Sequence, residues 1–190
     1  MPVVELHILE GYDAADKARL GTALTNAVRS VVPAAPDLVT VMIHEMPAAD
    51  YYRGGQTRTP ARSRPDPIEI VKTYLSAMEA RDLETARSLL APGFEMVFPG
   101  TQPMTTLEEL IAWSAPRYKH VAKRFEGFET LQSHGEAAVV YCRGTLHGVD
   151  HDGRAFDAIR FVDRFEIVGD KLSRQDVWND MAEKRAGALT

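Results

Sequence analysis

The stretch from Arg53 to Pro67 reads RGGQTRTPARSRPDP and contains four arginines, two glycines, three prolines and hardly an apolar side chain. Such a composition cannot build a core, because too little apolar surface is available to offset the entropy of ordering it. It divides the 190-residue chain into a first domain over 1–55, a linker over 56–66 and a second domain over 67–190. With 45% hydrophobic and 26% charged residues the whole is of ordinary globular composition. A domain of some 55 residues buries little surface by itself, so the first part is expected to oligomerise.

That first part opens on an apolar strand pattern, Pro2-Val3-Val4-Glu5-Leu6-His7-Ile8-Leu9-Glu10-Gly11. Asp13 is a suitable N-cap for the helix that follows, Leu20, Ala23, Leu24, Ala27, Val28 and Val31 recur at helical spacing, and Pro33 stops it. A second strand, Val41 to Met46, completes a βαβ unit, whose crossover places both strands parallel in one sheet.

The second part begins with Asp66-Pro67-Ile68-Glu69, an N-cap, a proline at the first helical position and an acid at the third, which has the chemistry of a capping box. Its helix runs through Ile68, Val71, Tyr74, Leu75 and Met78. Asp82 caps a short second helix ending near Leu90, Phe94 to Phe98 is strand-like, and Thr106 with Glu109 caps a third helix. Four β-rich segments follow: Phe125 to Ser133, Ala137 to His147, Ala155 to Val168 and Leu172 to Trp178. The turn signals between them, His134-Gly135, Asp150-His151-Asp152-Gly153 and Gly169-Asp170, suit antiparallel connections. Helices first and then a four- or five-stranded antiparallel sheet predict an α+β layout with a curved sheet wrapping the helices.

A net charge of -5 with no long basic run excludes a phosphate-tracking surface, so no nucleic acid partner is expected. No apolar run is long enough to span a bilayer and the amino terminus lacks a signal peptide pattern, which predicts a cytoplasmic protein with no membrane partner. The single Cys142 sits in an apolar strand pattern, where a buried inert thiol is expected. His7 and His44 read as packed or solvent-facing strand residues. No cluster of His, Cys and acids has metal-ligand spacing and no glycine-rich phosphate loop is present, so neither a metal nor a cofactor is expected.

The order of the first part, with His-Ile-Leu-Glu-Gly in the opening strand and Tyr51 before Gly54-Gly55, resembles 4-oxalocrotonate tautomerase. That resemblance implies a small subunit that assembles, in trimers or hexamers, and builds its sites across interfaces. It also implies catalysis by the amino-terminal proline, here Pro2 once Met1 is removed. A terminal amine has a pKa of roughly 7.7 to 8.0, and partial burial would bring it close to neutrality, where a base moves protons best. Tyr51 falls where the family has its aromatic residue, but Tyr12 and Thr40 stand where it has two arginines. A neutral or singly charged carbonyl compound therefore fits better than a dicarboxylate. Tyr12 and Tyr51 offer phenolic donors to a developing enolate, and Arg53 is a nearby cation for substrate binding.

From Asp66 onward the order of elements, with Tyr74-Leu75-Ser76-Ala77-Met78-Glu79-Ala80-Arg81-Asp82 and the closing Asp176-Val177-Trp178-Asn179-Asp180, resembles the SnoaL-like and ketosteroid isomerase branch of the nuclear transport factor 2 superfamily. The resemblance places Tyr74 at the tyrosine of helix one and Phe98-Pro99 where an aspartate base would precede a proline, so that base is missing. It also implies a cone that can pair as a dimer. Alternation along Ala155 to Val168 puts Asp157, Ile159, Phe161, Asp163, Phe165 and Ile167 on one face. Asp163 thus points among apolar neighbours, as a proton donor or acceptor or as a partner of an arginine such as Arg143 or Arg174. His147, Asp176 and Trp178 complete the candidate pocket, with Trp178 as core or wall.

Together these features predict a tautomerase or isomerase acting through Pro2, Tyr12 and Tyr51, with Arg53, Tyr74, His147, Asp163, Asp176 and Trp178 as binding residues. Iminium or hydration chemistry at Pro2, cyclase activity in the second domain, and a non-catalytic binder with the first domain as assembly module stay open.

Overall fold

The computed structural model describes residues 1–132 and 135–187, which form two units, Met1–Ser63 and Arg64 onward. In the first, strand β1 (Val3–Leu9), helix α1 (Ala14–Arg29) and strand β2 (Thr40–Met46) make the βαβ crossover, with β1 and β2 parallel. The Asp13 side chain accepts from the Asp16 N–H and caps α1. A short hairpin follows, β3 (Tyr52–Arg53) against β4 (Gln56–Thr57), turning through Gly54 and Gly55 at φ 62° and 74°. These two positions need glycine because their backbone is left-handed. Gln56 and Thr57, expected in the linker, are therefore strand residues, and the division between units falls after Ser63.

No residue of this first unit is buried. Val4, Leu6, Ile8, Val41 and Ile43 are half-covered, whereas Val3, Glu5, His7, Met42 and His44 stand exposed on the opposite face of the sheet. Two strands and one helix can shield only one side of a sheet.

The second unit has a closed core. Helix α2 (Pro67–Ala80) starts at Asp66, whose carboxylate accepts from the Ile68 N–H, and presents Ile70, Val71, Tyr74 and Ala77 inward. Glu69 takes no part in that cap; it pairs with Lys72 at 2.7 Å. The reciprocal capping box occurs at Thr106 and Glu109, at the start of α4 (Leu107–Ser114). Asp82 caps α3 (Leu83–Ser88) through the Thr85 N–H.

Around these helices β5 (Leu90–Val97), β6 (Tyr118–Gln132), β7 (Ala138–Asp150), β8 (Ala155–Val168) and β9 (Lys171–Asn179) form one sheet in the order β5-β9-β8-β7-β6, and α5 (Met181–Gly187) closes the chain. The sheet is mixed, not wholly antiparallel: β5 runs parallel to β9 because α4 and the long hairpins intervene. β8 covers the expected residues, but β6 begins well before Phe125. Of the turn His134-Gly135, His134 lies outside the described residues.

β8 carries one extra residue where its register shifts between Leu146 and Gly148, and Ala158 there takes φ 57°. This bulge reverses the alternation, so Asp157 is exposed and Phe156 turns towards the core. Beyond it Ile159, Phe161, Asp163, Phe165 and Ile167 are all buried.

At Gly144, opposite Phe125 beside another bulge, an added Cβ would overlap the Arg124 carbonyl and sit 3.1 Å from the Phe125 Cα. Backbone cannot yield as a side-chain tip does. Gly144→Ala is expected to destabilise the second unit by about 3 kcal/mol, read from urea unfolding followed by tryptophan fluorescence.

Candidate functional site

Pro2 precedes β1 and is half-buried, and its carbonyl accepts from the Thr40 N–H at 3.0 Å. Parallel pairing Val3↔Thr40 thus holds Thr40 beside Pro2 at the amino end of the sheet. Tyr12 and Tyr51 follow the carboxyl ends of β1 and β2, where the Glu10 N–H donates to the Met46 carbonyl. A seven-residue strand spans roughly 23 Å. Within one chain, the base candidate and the phenolic candidates are therefore at opposite ends of the sheet. Arg53 is exposed on the β3–β4 hairpin, two residues beyond Tyr51.

The second unit gathers a different set. Asp163 is 0% exposed, and its Oδ2 receives both the Lys123 ammonium and, at 3.4 Å, the Gln175 Nε2. Gln175 in turn accepts from the Tyr74 hydroxyl at 3.2 Å. Lys123 Nζ lies 4.4 Å from the Phe161 ring centroid, a cation over an aromatic face. The chain Tyr74–Gln175–Asp163–Lys123 runs from helix α2 across β9 and β8 to β6, where the Lys123 side chain is 21% exposed. Asp163 Oδ1 is buried with no hydrogen-bond partner. The partner of Asp163 is thus Lys123, not Arg143 or Arg174; Arg143 pairs with Glu126 and Glu129 on the outer face.

Burial, and then the Asp163 charge, hold the Tyr74 hydroxyl well above the usual phenol range. Tyr74 is consequently a proton donor in this chain of bonds. Cys142 faces Asp163 across β7 and β8, and burial followed by the Asp163 charge pushes its thiol up to about 12. Folding thus favours the protonated thiol, and that contribution is complete below the ordinary thiol range and lost as pH rises towards about 12. Ellman's reagent is expected to find no reactive thiol in the native protein at pH 8 and one after denaturation.

Asp176 and Trp178 do not share the interior with Asp163. They occupy the alternate face of β9, where Arg174 holds Asp176 at 3.0 Å and Arg164 holds it at 3.3 Å. Trp178 is 54% exposed, not core; with Asp176, Phe98, Pro99 and Thr101 it lines a shallow groove of about 380 Å³. His147, on β7, is outside that groove, its Nδ1 buried and without a hydrogen-bond partner. Lys123 and Gln175 escaped the sequence reading: Lys123 precedes the segment legible as a strand, and Gln175 differs from its neighbours only by alternating with Val177.

One further cluster depends on strand register. Pairing His7↔His44 stacks the two imidazoles with ring centroids 4.8 Å apart and brings Glu5 to the same exposed face.

Comparisons with known proteins agree with this two-part architecture. Residues 71–175 match the SnoaL-like domain family, to which the chain belongs, and residues 2–59 match the Tautomerase enzyme family. An NTF2-like protein of unknown function from Burkholderia pseudomallei is 21% identical with a TM-score of 0.51, over 63% of this chain and 94% of its own. A SnoaL-like polyketide cyclase from Jannaschia sp. is 21% identical with a TM-score of 0.50, over 70% and 96%. TerC, crystallised with polyporic acid, is 17% identical with a TM-score of 0.51, over 65% and 98%. These likenesses establish the fold of the second unit. No curated protein sequence matches the chain. Among the described residues, no helix is long and apolar enough to cross a membrane.

Proposed function

We propose that the protein is a tautomerase in which Pro2, freed by removal of Met1, is the general base for keto-enol transfer on a small carbonyl compound. The observation that carries this reading is the half-buried Pro2 at the head of β1, on the residue where the Tautomerase enzyme match begins. The neutral secondary amine takes the proton α to the carbonyl, the electron pair moves onto oxygen, and a phenol O–H steadies the enolate before the proton returns at oxygen.

The separation of Pro2 from Tyr12 and Tyr51 within one chain supports a site completed by a second copy. So does a first unit without a buried residue. Trimeric or hexameric assembly would supply both the missing cover and the missing donors, and dimeric pairing of the cones is compatible with it. The test combines intact mass, to show Met1 absent, with a keto-enol assay on phenylpyruvate. Turnover by the processed protein supports the reading, and equal turnover by Pro2→Ala refutes it.

The cone-shaped second unit is proposed to bind or further transform a related molecule. The buried Tyr74–Gln175–Asp163–Lys123 chain favours acid-base work there. Activity that survives Pro2→Ala but is lost in Asp163→Asn, with the variant folded, would place the chemistry in the cone.

A further inference from the structure

We infer that Glu5, His7 and His44 form a binding site for a borderline divalent cation of the Zn²⁺ type, which clips β1 to β2. Each of the three offers one ligand atom, and these atoms all lie within 4.8 Å of one another. Two imidazoles and one carboxylate are a donor set that zinc accepts, with a remaining position for water. Tetrahedral coordination at about 2.0–2.2 Å would need ligand atoms roughly 3.4 Å apart. All three side chains are exposed, so small rotations about their side-chain bonds close that difference at little cost.

Their placement is a product of the fold. Glu5 and His7 are two apart on β1 and share a face, and the parallel register sets His44 directly beside His7. Among the described residues the β1–β2 ladder engages these three through their backbone, and no side-chain hydrogen bond or ion pair of theirs is seen. The ligand atoms are therefore free to turn towards a cation.

This site is distinct from the Pro2 reading. His7 lies five residues along the strand, roughly 16 Å away, on the face shared with Val3 and not with Val4. Its consequence is structural. The unit has no buried residue, and a cation bound only by the folded register would stabilise that register by mass action.

The test is Zn²⁺ titration of the tag-free full chain by calorimetry, with Co²⁺ absorption reporting the coordination geometry. One cation per chain is expected, with visible bands of tetrahedral Co²⁺ and a rise in the melting temperature on adding Zn²⁺. His7→Ala and His44→Ala should each weaken binding by at least the roughly tenfold typical of changes around metal ligands, while His151→Ala binds as wild type. Circular dichroism checks that the variants fold. Absence of saturable binding, retention of wild-type affinity in either ligand variant, or equal loss in His151→Ala would overturn the site.

Discussion

Pro2→Ala, with Met1 removed, is expected to lower phenylpyruvate turnover by about 10²-fold or more, the scale of a lost general base. Alanine leaves a primary amine at the same place, so the loss reflects basicity and orientation, not the absence of nitrogen. A variant that retains Met1 should lose more, because its Pro2 nitrogen is then an amide with no basicity. Mixing Pro2→Ala with Tyr51→Phe before assembly adds a second readout. If the proline of one copy meets the phenol of another, some mixed sites carry both intact groups and regain turnover. A mixture no more active than its components would contradict a shared site.

Lys123→Met is expected to destabilise the second unit strongly. It leaves the fully buried Asp163 carboxylate with only Gln175, and breaking a buried pair costs about 3–5 kcal/mol. Asp163→Asn should cost less, about 1–2 kcal/mol, since the partly exposed Lys123 ammonium can turn to water. The double variant Lys123→Met with Asp163→Leu should recover much of the loss, because neither charge is then stranded. Both tryptophans, Trp113 and Trp178, lie in this unit, so urea unfolding followed by their fluorescence reads it directly. Equal losses in the two single variants would mean that the pair is solvated and not buried.

Much of the architecture was legible because it is decided over a few residues. Asp13, Asp66, Asp82 and Thr106 announce their helices through the bonds that a short polar side chain offers to nearby N–H groups. Alternation from Ile159 to Ile167 marks an inward strand face with Asp163 on it. The same rule fails at Asp157, because a single inserted residue at the Ala158 bulge resets the count. Of the two places its size suggests for Trp178, core or pocket wall, alternation with Val177 excludes the core and leaves it on the rim of the Phe98 groove. β6 hid its first residues, including Lys123, behind cations and a register shift between Tyr118 and His120.

The chain's order of residues therefore marks the arginine- and proline-rich stretch, most of the elements on either side of it, and a proline directly after Met1. Which side chains meet was settled elsewhere. His7 finds His44, and Lys123 finds Asp163, only through registers between segments far apart in the chain. Those registers follow from which faces the helices cover, a property of the packed whole that no local run of residues carries.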